Sequence, residues 1–119
     1  MAATFSRILL SGSTSGRPIK VVQTATAGTL IHTAVSGAVS FDEIYLWVTN
    51  TDASARSLTV EWGGVTDPDD LVVKTYSIGA NSAPFPIITG LNLNGGLVVR
   101  AFGSAANVLL ISGYVNRIA

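Results

Sequence analysis

The chain contains no cysteine, one histidine, one methionine and few charges, which are 12% of its 119 residues. Without cysteine, disulfides and thiolate metal sites are excluded. A single histidine leaves no zinc or iron ligand set of the usual kind. Seven Lys and Arg balance seven Asp and Glu. That zero net charge argues against nucleic acid as a partner, because phosphate neutralisation needs a surplus of basic side chains. The same balance argues against electrostatic attachment to a membrane surface. No apolar run approaches the roughly 20 residues of a spanning helix, and a membrane β-barrel needs about nine or more residues in each of eight or more strands, which the chain barely provides. Ile8-Leu9-Leu10 is too short for a secretory h-region.

The residues that are present point to strands. Val, Ile, Thr, Phe, Tyr and Trp supply 43 positions, whereas Glu, Lys, Gln, Met and Arg supply 11. The first group favours pleated surfaces and the second exposed helix faces. Twelve Gly and six Asn supply turns. The expected class is all-β, an antiparallel β-sandwich of jelly-roll type, with an immunoglobulin-like sandwich as the second choice. Eight strands are expected at about 17–25, 28–34, 41–50, 56–63, 71–78, 84–89, 96–102 and 107–116.

Residues 1–16 end in SGSTSG, a Gly/Ser run that reads as a hinge, so the expected organisation is an extended N-terminal arm (1–16) and one sandwich domain (17–119). Phe5, Ile8, Leu9 and Leu10 are wasted on a free tail and are expected to dock onto a neighbour. FDEIYLWVTN and SLTVEWG alternate with period two and read as a hairpin closed by TDASA. Ile44, Leu46 and Val48 take one face of the first strand. Tyr45 and Trp47 take the other, where an interface uses aromatics. Low charge in so small a chain implies that part of the surface is covered in an assembly.

Nothing in the sequence composes an active site. His32 in GTLIHTA reads as a strand residue without catalytic partners. GSTSG places Thr14 where a nucleophile elbow needs serine. Asp67, Asp69 and Asp70 read as a solvated turn, with a calcium ion as the lesser alternative. Glu43 and Glu61 mimic a glycosidase pair only if they are cross-strand neighbours. Trp47, Trp62, Tyr45, Tyr76 and Tyr114 suggest a sugar-stacking surface, although Trp62 fits the core better. No catalytic, metal-binding or cofactor-binding residue is expected, and the chain is not expected to be an enzyme.

LSGSTSGRPIKV (10–21), AGTLIHTA (27–34), DEIYLWVTNT (42–51), LTVEWGG (58–64), GLVVRAF (96–102) and ISGYVNRI (111–118) together resemble small β-sandwich virion proteins of tailed bacteriophages. The resemblance runs through most of the chain in order. It implies a structural role, foremost capsid decoration (cement), with neck, tail or fibre-anchoring components as the alternative. The implied partners are the major capsid protein, other virion proteins and copies of the chain itself, a trimer being the oligomer that would match local three-fold positions. The implied location is the outer capsid surface after synthesis in the host cytoplasm. A carbohydrate-binding module is the rival outside this class. The interface residues implied by pattern are Phe5, Ile8, Leu9, Leu10, Tyr45 and Trp47.

Overall fold

The structure is a computed structural model that describes residues 4–119. Among these residues every regular element is a strand. Nine are present: β1 (Phe5–Leu9), β2 (Ile19–Lys20), β3 (Thr29–Thr33), β4 (Phe41–Asn50), β5 (Arg56–Trp62), β6 (Leu71–Ile78), β7 (Phe85–Leu93), β8 (Val98–Gly103) and β9 (Leu109–Ile118). They form two antiparallel sheets packed as a sandwich. One sheet has the order β1-β9-β4-β7, with β2 also on β9, and the other has the order β3-β8-β5-β6. We call them sheets A and B.

The core forms where the inward residues of the two sheets meet. Ile44, Leu46, Val48, Ile111 and Val115 from sheet A pack with Leu58, Val60 and Val99 from sheet B, all fully buried. At about 1.5–3 kcal/mol for each large aliphatic side chain removed from water, this layer drives the two sheets together. The period-two pattern of β4 is realised residue by residue: Ile44, Leu46 and Val48 lie inside, while Tyr45, Trp47 and Thr49 are half-buried on the outside.

Three sequence expectations are corrected. The first is the hairpin, because β4 and β5 lie in different sheets. Asn50 redirects the chain there: its buried amide donates to Ser54 O (3.0 Å) and Ile78 O (3.1 Å), and its Oδ1 accepts the Asp52 N–H (2.9 Å). Buried polar groups must be paired, so these bonds lock the crossover. Likewise β8 and β9 do not pair with each other, and β5–β6 is the only hydrogen-bonded pair of successive strands among the described residues.

The second correction is the arm. Residues 1–3 lie outside the described residues, but Phe5–Leu9 is a strand of the protein's own sheet, paired with β9 from Phe5↔Ile118 to Leu9↔Tyr114. Leu10 is 3% exposed in the core and Ile8 packs against it. The run read as a hinge is a hydrogen-bonded turn. Ser13 Oγ donates to Leu10 O (2.7 Å), Gly12 N to Ile31 O (2.9 Å) and Arg17 N to Thr14 O (3.0 Å). The third correction is the expected strand 17–25, which shrinks to Ile19–Lys20 before the chain leaves the sheet.

Candidate functional site

The outer face of sheet A gathers most of the residues expected to make an interface. In an antiparallel sheet, directly paired residues project to the same side. The register therefore draws rows across β1, β9 and β4: Phe5–Ile118–Phe41, then Arg7–Asn116–Glu43, then Leu9–Tyr114–Tyr45. Trp47 follows beside Ser112. Phe5 is 70% exposed and Leu9 55%. Phe5, Leu9, Tyr45 and Trp47 are thus brought together, whereas Ile8 and Leu10 alternate inward and belong to the core.

The aromatic rings stack on one another. Tyr45 and Tyr114 lie 5.0 Å apart between centroids at 20°, and Trp47 lies 6.0 Å from Tyr114. The Arg7 guanidinium sits 4.2 Å from the Tyr114 centroid, a cation–π contact. Tyr45 also lies over Gly90, where an added Cβ would meet the ring at 3.3 Å. Tyr45 Oη donates to Glu43 Oε1 (2.9 Å), and Asn116 Nδ2 donates to the same oxygen (3.2 Å). The bond to Glu43 is the main reason the Tyr45 phenol is held above its ordinary pKa; desolvation and the Glu43 charge add to it. Among the described residues neither Arg7 nor Glu43 has an ion-pair partner within the chain.

Sequence reasoning missed Arg7, Phe41, Asn116 and Ile118 on this face. Its one available signal was the outward parity of Ser112, Tyr114, Asn116 and Ile118. The near-continuous apolar run at the start of β9 hides that parity.

His32 belongs to a buried structural network. The ring is 1% exposed and Asp42 is fully buried. His32 Nδ1 accepts the Ser11 N–H (3.0 Å), so the ring proton is on Nε2, which donates to Asp42 Oδ2 at 2.7 Å. Arg117 and the Val35 N–H (3.1 Å) complete the carboxylate's partners. Serine, histidine and aspartate do meet here, but through the Ser11 backbone. The Ser11 hydroxyl instead accepts the Thr33 N–H at 2.7 Å. A nucleophile would need its Oγ on the imidazole.

The remaining candidates separate. Glu43 is on sheet A and Glu61 on sheet B, so they are not neighbours. Glu61 is 1% exposed, accepting the Gly28 N–H at 2.7 Å and the Thr26 hydroxyl. In the aspartate loop, Asp67 pairs with Lys74 (3.0 Å) and Asp70 Oδ2 accepts the Thr66 N–H (3.0 Å), the bonds of a capped turn. Trp62 packs half-buried against the core, with Nε1 directed to Asn92 O (3.4 Å). Tyr76 stacks on Phe85 at 6.0 Å, away from the outer face of sheet A.

Fold and site define an all-β sandwich with one exposed aromatic and aliphatic sheet face. No protein family, curated protein or solved structure matches the chain.

Proposed function

We propose that the chain is a non-enzymatic structural protein of a bacteriophage particle, acting as a capsid decoration (cement) protein on the outer shell. The observation that carries this reading is the outer face of sheet A. Phe5, Phe41 and Ile118 on one side of the Arg7–Asn116–Glu43 row, and Leu9, Tyr45, Tyr114 and Trp47 on the other, make this face largely apolar on a charge-poor molecule. Exposed patches of this kind mark protein interfaces. The strand orders β1-β9-β4-β7 and β3-β8-β5-β6, with the chain passing repeatedly between sheets, fit a jelly roll. That agrees with the fold implied by the resemblance to small virion proteins. A protein placed in many symmetric copies needs only modest affinity per contact.

The carbohydrate-binding reading draws less support. Sugar stacking needs a free ring face, and Tyr45 and Tyr114 turn theirs to each other, to Arg7 and to Gly90. Densitometry of purified particles tests the proposal. A near-stoichiometric ratio to the major capsid subunit is expected. A few copies per particle would assign the chain to the neck, tail or fibre attachment instead, and absence from the particle would overturn the virion role.

A further inference from the structure

We propose that the outer face of sheet A is a two-fold interface with a second copy of this chain, in which Arg7 of each protomer pairs with Glu43 of the other. The inference deepens the reading of this face as a protein interface and does not depend on the particle in which it operates.

The outer face is laterally balanced about β9. β1 and β4 flank β9 on its two sides and share its register. Rotation by a half-turn about an axis lying along β9, in the plane between two facing sheets, keeps each row at its height and exchanges left with right. Phe5 then meets Phe41 of the second copy, and Leu9 meets its Tyr45. Ile118 and Tyr114 meet themselves. The one charged row is Arg7–Asn116–Glu43. The same rotation brings Arg7 over Glu43 and Glu43 over Arg7, with Asn116 on Asn116 at the axis. An isologous interface must be self-complementary in this sense.

Within one chain these two charges cannot serve each other well. They are separated by a whole strand, about 9–10 Å at the usual interstrand spacing, and the guanidinium lies over Tyr114 instead. Opposite charges left without ion-pair partners in the middle of an apolar face are costly to cover with an apolar surface. A second copy supplies a counter-charge to each.

Shape agrees with charge. β1 ends opposite Tyr114 and β2 begins opposite Ile111, so neither strand faces Ser112 or Gly113. Beside this interval lies an open depression of about 430 Å³ lined by Gly12, Arg17, Ile19 and Leu110. The half-turn carries Trp47 of the second copy to this side at the height of Ser112. β4 and β9 at ten residues each and β1 at five, with strands about 4.8 Å apart and about 3.3 Å per residue, give an overlapping face of about 400 Å² in flat projection. That is a small interface beside the roughly 800 Å² per partner of stable complexes, as suits a dimer that forms at micromolar concentrations.

Sedimentation velocity across micromolar concentrations tests this on the full chain, with thermal melts confirming that each variant folds. A dimer is expected for the wild type. Arg7→Glu and Glu43→Arg should each weaken it at least about tenfold, and the double exchange R7E/E43R should return it to within about threefold of the wild type. Trp47→Ala, which leaves both charges in place, should also weaken it. A wild type that stays monomeric, including one that still binds particles, overturns the proposal. So does a trimer, or a dimer indifferent to the single charge reversals.

Discussion

Arg117 on β9 grips the fully buried Asp42 on β4 with two parallel hydrogen bonds, Nε to Oδ1 at 2.7 Å and Nη2 to Oδ2 at 2.9 Å. The two are direct cross-strand partners. With His32 and Val35 also bound to the carboxylate, one side chain ties β3, β4, β9 and the loop after β3. Removing its charge leaves Arg117 and the His32 N–H facing a neutral group. Asp42→Asn should therefore destabilise the fold by about 3 kcal/mol, read from chemical denaturation.

Acid should act through the same carboxylate. Burial alone would raise the Asp42 pKa, but the hydrogen bonds from Arg117 and His32, the Arg117 charge and the Val35 N–H outweigh it and hold the value below the usual 3.8. A depressed folded-state pKa means stability that is fully present above the unfolded value and lost as pH falls through the folded one. The gap in stability between wild type and Asp42→Asn should stay constant at neutral pH and narrow below about pH 4. A gap that is flat down to pH 2 would show that this network does not depress the carboxylate's pKa.

The parts of the fold legible in the sequence are those where one face meets the core and the other meets water. In β4 that alternation located Ile44, Leu46 and Val48 inside and Tyr45 and Trp47 outside. It failed for β5, where Thr59 and Glu61 look solvated but are buried. The loop bearing Thr26 and Gly28 covers Glu61 and satisfies it, and no local pattern announces that cover. Pairing was less legible still. The five loop residues TDASA after β4 suit a hairpin, and the bonds of Asn50, locally to Ser54 and at long range to Ile78, decide for a crossover. At the candidate site Tyr45 and Trp47 could be read from parity, whereas Arg7 and Glu43 acquire meaning only once the register sets them on either side of Asn116.

The N-terminal segment should prove essential to the fold. Deleting residues 2–12 removes β1, uncovers the edge of β9 and takes Ile8 and Leu10 from the core. It also removes the Ser11 N–H that the His32 ring accepts. The truncated chain should lose cooperative melting or melt at least about 10 °C lower. An unchanged melting temperature would mean that β1 contributes little to the folded chain.

Leu9 and Leu10 should differ sharply although they are neighbours of one type. Leu10 is buried at 3% exposure, so Leu10→Ala opens a cavity and should cost about 2–5 kcal/mol. Leu9 projects from the outer face, and Leu9→Ala should stay within about 0.5 kcal/mol in the isolated chain. Denaturant midpoints of the two variants compare them directly, and similar losses at both positions would contradict the placement of β1.

Gly113 sets how closely β9 can approach β4. A Cβ there would strike the Tyr45 carbonyl oxygen and lie 3.2 Å from the Leu46 Cα, which is backbone and cannot swing aside. Any other residue must push β9 away from β4, in the stretch where Tyr114 stacks on Tyr45 and Ile111 and Val115 enter the core. Gly113→Ala should therefore cost more than about 2 kcal/mol, as overpacking against an unyielding neighbour does. Gly79 is the control, since a Cβ there meets nothing within 4 Å. Gly79→Ala should change stability by no more than about 0.5–1 kcal/mol, in the stabilising direction if loss of unfolded-state freedom dominates. The near-ultraviolet circular dichroism of the stacked tyrosines supplies a second readout, which should weaken in Gly113→Ala and persist in Gly79→Ala. Equal behaviour of the two variants would mean that the β4–β9 spacing is not limited by residue 113.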